Sequence, residues 1–309
     1  MHVAIVIVGF RNADDIGKCL TAIAATTYAD FEVVICENGG RAAYEALGSV
    51  VPSRLSGGQP VKAVAAPRNL GYAGGVNHGI DQASDADAWW VLNPDTEPEP
   101  AALGACVARL AAGDCEAVGT VLYLPDDRIQ CYGGRWQPLL GRALALGQGA
   151  RLSDPVDAAR IERTQSYLSG ASMLIGRRFR EVVGPMREDY FLYCEEVEWC
   201  LRGRSLGMRL AFAPDARVLH HAGATTGSRR AFRQMPKTPV YLNERNRILL
   251  TRDLWPRRLP LVAVTAFGVV LLRFARRGAW RQVGYALEGW LAGLRDRRGP
   301  PSWIAPNPS

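Results

Sequence analysis

Four short, almost uninterrupted apolar runs in the first hundred residues constrain the fold more than any other feature of the chain. They are VAIVIVG (3–9), FEVVICE (31–37), VKAVAA (61–66) and WWVLN (89–93). The first has strand length, is rich in Val and Ile, and lacks polar–apolar alternation, as in a parallel strand covered on both faces. Segments with helical pattern separate the runs. Asp14 can cap a helix whose apolar face is Ile16, Cys19, Leu20 and Ile23. Residues 41–47 form a second helix, and a third follows PRNLGYAGGVNHGI (67–80). Strands alternating with helices predict right-handed βαβ units and a Rossmann-like α/β sheet. Ligands of such sheets bind beyond the carboxyl ends of the strands. Three polar clusters fall there: Glu37-Asn38, Arg68-Asn69 and Asn93-Pro94-Asp95. Trp89 and Trp90 read as core of the fourth strand. Past residue 115 the pattern shifts to short strand-like pieces, AVGTVLYL and RIQCYGG, then TQSYLSGASMLIGRR, which predicts a mixed sheet edge.

At 309 residues with 48% hydrophobic content, the chain can bury one large core with appendages. Its seven cysteines are odd in number and scattered, with no C-x-x-C, so neither a disulfide framework nor a zinc site is expected, and a reducing cytosol is. Met1-His2 leads straight into the first apolar run without the basic stretch of a secretory signal. Four histidines leave any metal site to rest mainly on carboxylates and on the ligand itself.

Charge is unevenly placed. From Arg229 onward there are 16 Arg and Lys against 4 Asp and Glu, a net +12, whereas the first 228 residues carry −5. That asymmetry points to an anionic partner for the tail. The basic residues interleave with LPLVAVTAFGVVLLRF (259–274), which favours lipid over nucleic acid. Its uncharged stretch, Leu259 to Leu272, is short for a spanning helix of about 20 residues. Flanked by Arg257, Arg258, Arg273, Arg276 and Arg277, it fits an interfacial helix on anionic lipid, with a buried core or dimer helix as the alternative. A homo-oligomer stays open.

The chemistry-bearing groups lie at strand and helix ends. Gly71-Tyr72-Ala73-Gly74-Gly75 lets backbone approach a phosphate or ribose, but it matches neither G-x-G-x-x-G nor the P-loop spacing. Arg68 just before it can meet phosphate as a fork of donors. Asp95 can hold a divalent cation against a diphosphate or cap a helix starting near Pro98; both readings stand. Glu97 and Glu99 read as first-turn acids of that helix, facing solvent. In DYFLYCEEVEWCLRGR (189–204), aromatics run into Glu195, Glu196 and Glu198 at a helix start. Glu198 and Arg202 read as an i,i+4 surface pair worth a few tenths of a kcal/mol. Glu195 and Glu196 lack such a partner and suit a general base that meets a sugar hydroxyl. His220, at the end of a later strand, can return to the same pocket as a metal ligand.

Taken together these segments resemble a family 2 glycosyltransferase with the GT-A fold, in its rhamnosyltransferase-like branch. The resemblance rests on VAIVIVGFRNADDIGKCLTAI, VVICENGG, RNLGYAGGVNHGI, VLNPDT, YLSGASMLIGRR, FLYCEEVEWCLR, PDARVLHHAGATT, the RNR of 245–247 and the ending LEGWLAGLRDRRG, so it spans nearly the whole chain. It implies a GT-A domain over 1–228, with a nucleotide-sugar half (1–115) and an acceptor half (116–228), followed by a basic helical extension (229–309). Glu37 sits where the family's carboxylate binds the nucleoside, in a donor site with Arg68, Asn69, Gly74 and Asn93. Asp95 takes the last position of the metal motif, here N-P-D rather than D-x-D, and His220 that of the late metal-ligand histidine. The resemblance puts Gly170 and Ala171 at the sugar and acceptor site and Glu196 at the catalytic base, with Glu195 beside it. Three departures stand out: the family's Glu-Asp-x-Asp is Glu195-Glu196-Val197-Glu198, its nucleoside aspartate is Glu37, and Arg187 replaces a common acid. Each Asp-to-Glu change moves a carboxylate by one methylene, and attack geometry is sensitive at about 1 Å.

The implied activity is inverting transfer of a sugar, L-rhamnose among the choices, from a nucleoside-diphosphate donor to a glycan or lipid-linked glycan, with Mg²⁺ or Mn²⁺, at the cytoplasmic face of the membrane. Two rivals remain. One is a catalytically silent nucleotide- or glycan-binding subunit with the same fold, and the weaker one is a nucleotidyltransferase.

Overall fold

The computed structural model describes residues 1–221 and 232–304. Eleven strands are present among them: β1 (Val3–Gly9), β2 (Phe31–Glu37), β3 (Val61–Ala65), β4 (Ala88–Leu92), β5 (Thr96–Pro98), β6 (Ala117–Tyr123), β7 (Ile129–Cys131), β8 (Gly134–Gln137), β9 (Arg142–Ala145), β10 (Ser172–Gly176) and β11 (Leu210–His220). The helices are α1 (Ala13–Ala24), α2 (Arg41–Leu47), α3 (Gly71–Asp81), α4 (Ala102–Ala111), α5 (Ala158–Thr164), α6 (Arg177–Val183), α7 (Glu195–Ser205), α8 (Lys237–Leu254), α9 (Leu259–Phe274) and α10 (Trp280–Leu294).

The main sheet runs β3-β2-β1-β4-β10-β6-β11-β5, with β7 beside β6. Its first four strands are parallel, as the βαβ reading requires. Antiparallel β10 then joins β4 to β6, and antiparallel β5 closes the far edge on β11. A parallel nucleotide-type half thus passes into a mixed second half, the expected α/β architecture. Alternate residues of β1 feed two cores: Val3, Ile5 and Ile7 pack with α1 and α4, while Ala4, Val6 and Val8 pack with α3, α6 and α7. Trp90 and Trp89 fall on opposite sides of the same sheet, both buried, as core residues.

Local expectations fail at three places. The helix expected after residue 80 instead begins at Gly71, so the glycines lie inside it. They serve close packing: a Cβ at Gly75 would meet Val8 Cγ1 at 2.5 Å, and one at Gly79 would meet Val6 Cγ1 at 2.5 Å. Asp14 does not cap α1, which starts at Ala13 behind Asn12 with no side-chain cap bond. Glu97 is not a helical acid either; it lies on β5, and α4 starts only at Ala102. Glu97 pairs with His221 Nε2 at 2.8 Å, and Glu99 accepts from the Tyr123 hydroxyl at 3.2 Å.

Helices α8, α9 and α10 pack on one another and against the loop preceding α7. With the 3₁₀ turns at its ends, α9 belongs to a run of 22 residues from Pro256 to Arg277; its most apolar 18 residues have a mean hydropathy of 1.7, and the run is long and apolar enough to cross a membrane by length and composition. The uncharged part of the run is still Leu259 to Leu272, and the turns that lengthen it carry Arg257, Arg258, Arg276 and Arg277. The 28% burial of its apolar window reflects a one-sided helix. Val262, Ala266, Val270 and Phe274 face the other helices, while Leu261, Val264, Leu271 and Leu272 are exposed.

Candidate active site

The pairing of β5 with the end of β11 places Asp95 beside His220. Thr96 is in register with His220, and His221 N donates to the Asp95 carbonyl at 3.0 Å. Both side chains are buried, with His220 Nε2 3.2 Å from Asp95 Oδ1. Gln130 Oε1 lies 2.7 Å from His220 Nδ1 and holds the ring by its other nitrogen. Nε2 has no well-directed hydrogen-bond partner among the described residues. Burial pushes the Asp95 carboxyl up, but the His220 ring beside it outweighs burial and holds the group below its ordinary value. A nitrogen and a carboxylate oxygen facing each other across this gap suit a divalent cation. Among the described residues no group of three or more His, Cys, Asp or Glu gathers into a metal site.

Across the cleft, the chain enters α7 through a strained loop. Phe191, Tyr193 and Cys194 all have φ near +70°, a conformation rare for non-glycine residues. Two elements impose it. Asn246 Nδ2 on α8 lies 3.0, 2.8 and 2.7 Å from the carbonyl oxygens of Tyr190, Leu192 and Tyr193. Arg245 Nη2 adds a bond to Tyr190 O at 2.8 Å. From the other side Tyr72 N donates to Phe191 O at 2.8 Å, and Gly71, at φ 72°, admits that carbonyl where any Cβ would collide.

The loop delivers Glu195 and Glu196 as the first residues of α7. Glu195 is 2% exposed, and its Oε2 has no partner among the described residues. Glu196 keeps some exposure. Desolvation raises both carboxyls above their ordinary value, and at Glu195 the charge of Glu196 adds to it. Backbone amides at the helix start pull the other way without cancelling the effect. Glu198 corrects the expectation of a surface pair, because it is 1% exposed. It does pair with Arg202, at 2.8 and 3.1 Å, and Arg202 also donates to Val183 O and, at 2.8 Å, to Pro185 O. That buried network fixes α7 to the loop after α6.

Gly170 lies between the two walls. A Cβ there would stand 3.4 Å from the Tyr72 ring and 3.5 Å from Glu196 Cβ. The Tyr72 hydroxyl donates to Gly170 O, and Asn93 N donates to Ala171 O at 3.0 Å, so the Asp95 loop is tied to the Gly170-Ala171 turn. Tyr72 is held far above the ordinary tyrosine range by burial, then by the charges of Glu195, Glu196 and Asp95. The sequence reading passed over Tyr72, Gln130 and Asn246. Tyr72 could have been found from its place between the glycines of the RNLGYAGG segment; the others have no local signal.

In the nucleotide half, Glu37 ends β2 and is 1% exposed. Its Oε1 accepts from Arg11 N at 3.0 Å and Gly39 N at 2.7 Å, while Oε2 has no partner among the described residues. Burial raises this carboxyl too, against the pull of the Arg11 and Gly39 amides. Arg68 is exposed, whereas Asn69 spends its side-chain oxygen on Gly71 N at 3.0 Å, at the start of α3. Gly74 lies within α3, where a Cβ would sit 2.7 Å from Leu70 Cβ and 3.4 Å from Glu188 Oε2. The structure thus brings Asn93, Asp95, His220, Gly170, Ala171, Glu195 and Glu196 together around Tyr72. Residues 222–226 of the PDARVLHHAGATT segment and the 228/229 boundary lie outside the described residues.

A mixed sheet with a parallel half that passes into an antiparallel-joined second half is the fold of GT-A glycosyltransferases. The profile described as glycosyltransferase like family 2 matches residues 2–238, and the chain belongs to that family. It is 26% identical over 243 residues to N-acetylglucosaminyl-diphospho-decaprenol L-rhamnosyltransferase of Mycobacterium tuberculosis (strain CDC 1551 / Oshkosh), covering 72% of this chain and 77% of that protein. The fold is similar to mannosyltransferase PcManGT from Pyrobaculum calidifontis, solved with GDP-Man and Mn²⁺, at TM-score 0.56 and 14% identity over 96% of this chain and 88% of that one. It is also similar to GalNAc-T7, solved with UDP, GalNAc and Mn²⁺, at TM-score 0.60 and 14% identity over 82% of this chain. The match covers 48% of GalNAc-T7, about half its length.

Proposed function

We propose that the chain is an inverting glycosyltransferase that moves a sugar, L-rhamnose being the leading choice, from a nucleoside diphosphate to a hydroxyl of a lipid-linked glycan. The observation that carries this is the single cleft with an acid–histidine pair on one wall and a raised-pKa carboxylate pair on the other. Glu196 is the base, since it is the reachable member of the pair. It accepts the proton of the acceptor hydroxyl, whose oxygen attacks the anomeric carbon as the bond to the diphosphate breaks. Mg²⁺ or Mn²⁺ between Asp95 and His220 would neutralise charge on the departing nucleoside diphosphate. The Tyr72–Gly170 hydrogen bond ties the two walls together, and Glu37 would face the nucleoside. The L-rhamnosyl donor and lipid-diphosphate acceptor follow the relative's name, and the basic, one-sided α9 supports work at the cytoplasmic membrane face.

Incubation with nucleoside-diphosphate sugars, Mn²⁺ and a lipid-linked acceptor tests the reading. Release of nucleoside diphosphate with inverted anomeric configuration in the product is expected. Release of pyrophosphate would point to a nucleotidyltransferase, and nucleotide binding without turnover to a silent subunit.

A further inference from the structure

A second cavity, of about 710 Å³, opens between the β8–β9 hairpin, the start of α7 and the facing sides of α8 and α9. Five arginines line it, Arg142, Arg247, Arg273, Arg276 and Arg277, against one acid, Glu244. Arg247 is 7% exposed; its Nη1 pairs with Glu244 at 2.6 Å, while its Nε and Nη2 are buried with no partner among the described residues. The other four arginines form no ion pair among the described residues, and residues 222–231 contain no Asp or Glu. Arg273 and Arg277 stack on Phe232, at 5.9 and 4.2 Å from its ring centre, which holds their charges close together. Desolvation lowers the Arg273 pKa, Glu244 opposes that, and Arg247, Arg142 and Arg277 add to the lowering. Like charges gathered at one cavity are costly unless an anion joins them, and forked guanidinium donors match phosphate oxygens.

Two neighbours narrow the anion. Cys194, immediately before Glu195 and Glu196, forms part of the wall, so the cavity adjoins the catalytic carboxylates. A diphosphate on the anomeric carbon of an acceptor sugar sits about one ring away from the hydroxyl that the base must reach. Leu272 also lines the cavity and is 64% exposed, on the same outer face of α9 as Leu261 and Val264. That strip offers a hydrocarbon chain a path out of the cationic cavity.

We infer that this cavity binds the diphosphate of the acceptor, a diphosphate ester carrying a long hydrocarbon chain, with the chain lying along the exposed face of α9. The inference rests on the glycosyltransferase reading above and deepens its acceptor side. Donor and acceptor diphosphates then occupy different sites: Asp95 and His220 serve the first, the arginine cavity the second.

Calorimetry on the full chain with farnesyl diphosphate, inorganic pyrophosphate, farnesol and UDP or dTDP with Mn²⁺ tests it. Farnesyl diphosphate is expected to bind more tightly than pyrophosphate or farnesol, and to bind alongside the nucleotide. Arg142 and Arg276 are exposed, so Arg142→Ala with Arg276→Ala leaves the core intact. The double variant is expected to weaken farnesyl diphosphate about 10- to 100-fold and to leave nucleotide affinity unchanged. Displacement of farnesyl diphosphate by nucleotide, indifference to both arginines, or equal arginine-dependent binding to phosphatidylglycerol vesicles that farnesyl diphosphate cannot displace would each overturn the inference. If no nucleoside diphosphate binds the wild type, it is the glycosyltransferase reading that fails, whatever the cavity binds.

Discussion

Glu195 and Glu196 are adjacent, similarly desolvated and chemically alike, so only their surroundings divide the labour. Glu195 is closed off, while Glu196 keeps some exposure beside Gly170. Glu196→Gln keeps the shape and removes the basicity. It is expected to cut turnover about 10²- to 10⁴-fold with donor affinity nearly unchanged, measured by steady-state kinetics beside calorimetry. Glu195→Gln should leave far more turnover; the reverse order would exchange their roles. Asp95→Ala is expected to abolish the part of donor binding that depends on Mn²⁺, which the wild type should show as a higher affinity with the ion than without. Equal wild-type affinity in both conditions would remove the cation from the mechanism. The sequence made these residues legible because each stands at a strand end or helix start within a short motif. The helical place of Gly74 was not legible, because a glycine-rich motif looks like a turn, whereas its Cα faces Leu70 and Glu188 inside a helix. Glu198 misled because i,i+4 spacing says nothing of burial.

At the scale of elements, continuous apolar runs read as buried parallel strands, and β1 and β2 fall where the pattern places them. The glycine-rich start of α3 did not read as helix, because glycine lowers helix propensity and only its tight contact with β1 explains it. The three-residue β5 carries too little pattern to be seen; pairing with distant β11 creates it. The strained loop before α7 was likewise illegible, since its geometry is set by α8, some fifty residues later. Asn246→Asp tests that support. It replaces a donor to three carbonyls by an acceptor of the same shape, leaving buried carbonyls unpaired at a cost of about 1–3 kcal/mol or more. A lower denaturation midpoint is expected, together with a turnover loss exceeding the loss of donor affinity, because the loop positions Glu196. Unchanged turnover in a folded Asn246→Asp protein would show that the loop holds its shape without α8.

For the whole molecule, the buried carboxylates oppose stability and activity along the pH axis. Glu37, Glu195 and Glu196 all have raised pKa values in the folded chain. The folded state therefore binds more protons than the unfolded one above the ordinary glutamate value of about 4.3, and its stability falls as pH rises toward the raised values. With Glu196 as the proposed base, activity should rise over the same interval. Glu195→Gln is expected to flatten the fall in stability, seen as midpoints of denaturant unfolding across pH; an unchanged slope would place the titration elsewhere. The C-terminal helices pose a different problem, because removing them also removes supports of the catalytic loop. Arg298 bonds Asp189 at 2.9 Å and Asp253 at 2.7 and 3.0 Å, and Gly299 N donates to Asp189 O at 2.7 Å. Deletion of the tail would thus confound membrane attachment with damage to the site. Substituting the outer face of α9 separates the two, since Val264 is 72% and Leu272 64% exposed while Val262, Ala266 and Val270 carry the packing. Val264→Gln with Leu272→Gln is expected to leave the unfolding midpoint and nucleotide binding intact. It should sharply reduce sedimentation with phosphatidylglycerol vesicles, and added salt should weaken the wild type's binding as the flanking arginines are screened. Equal sedimentation of wild type and variant would show that this face does not meet the membrane.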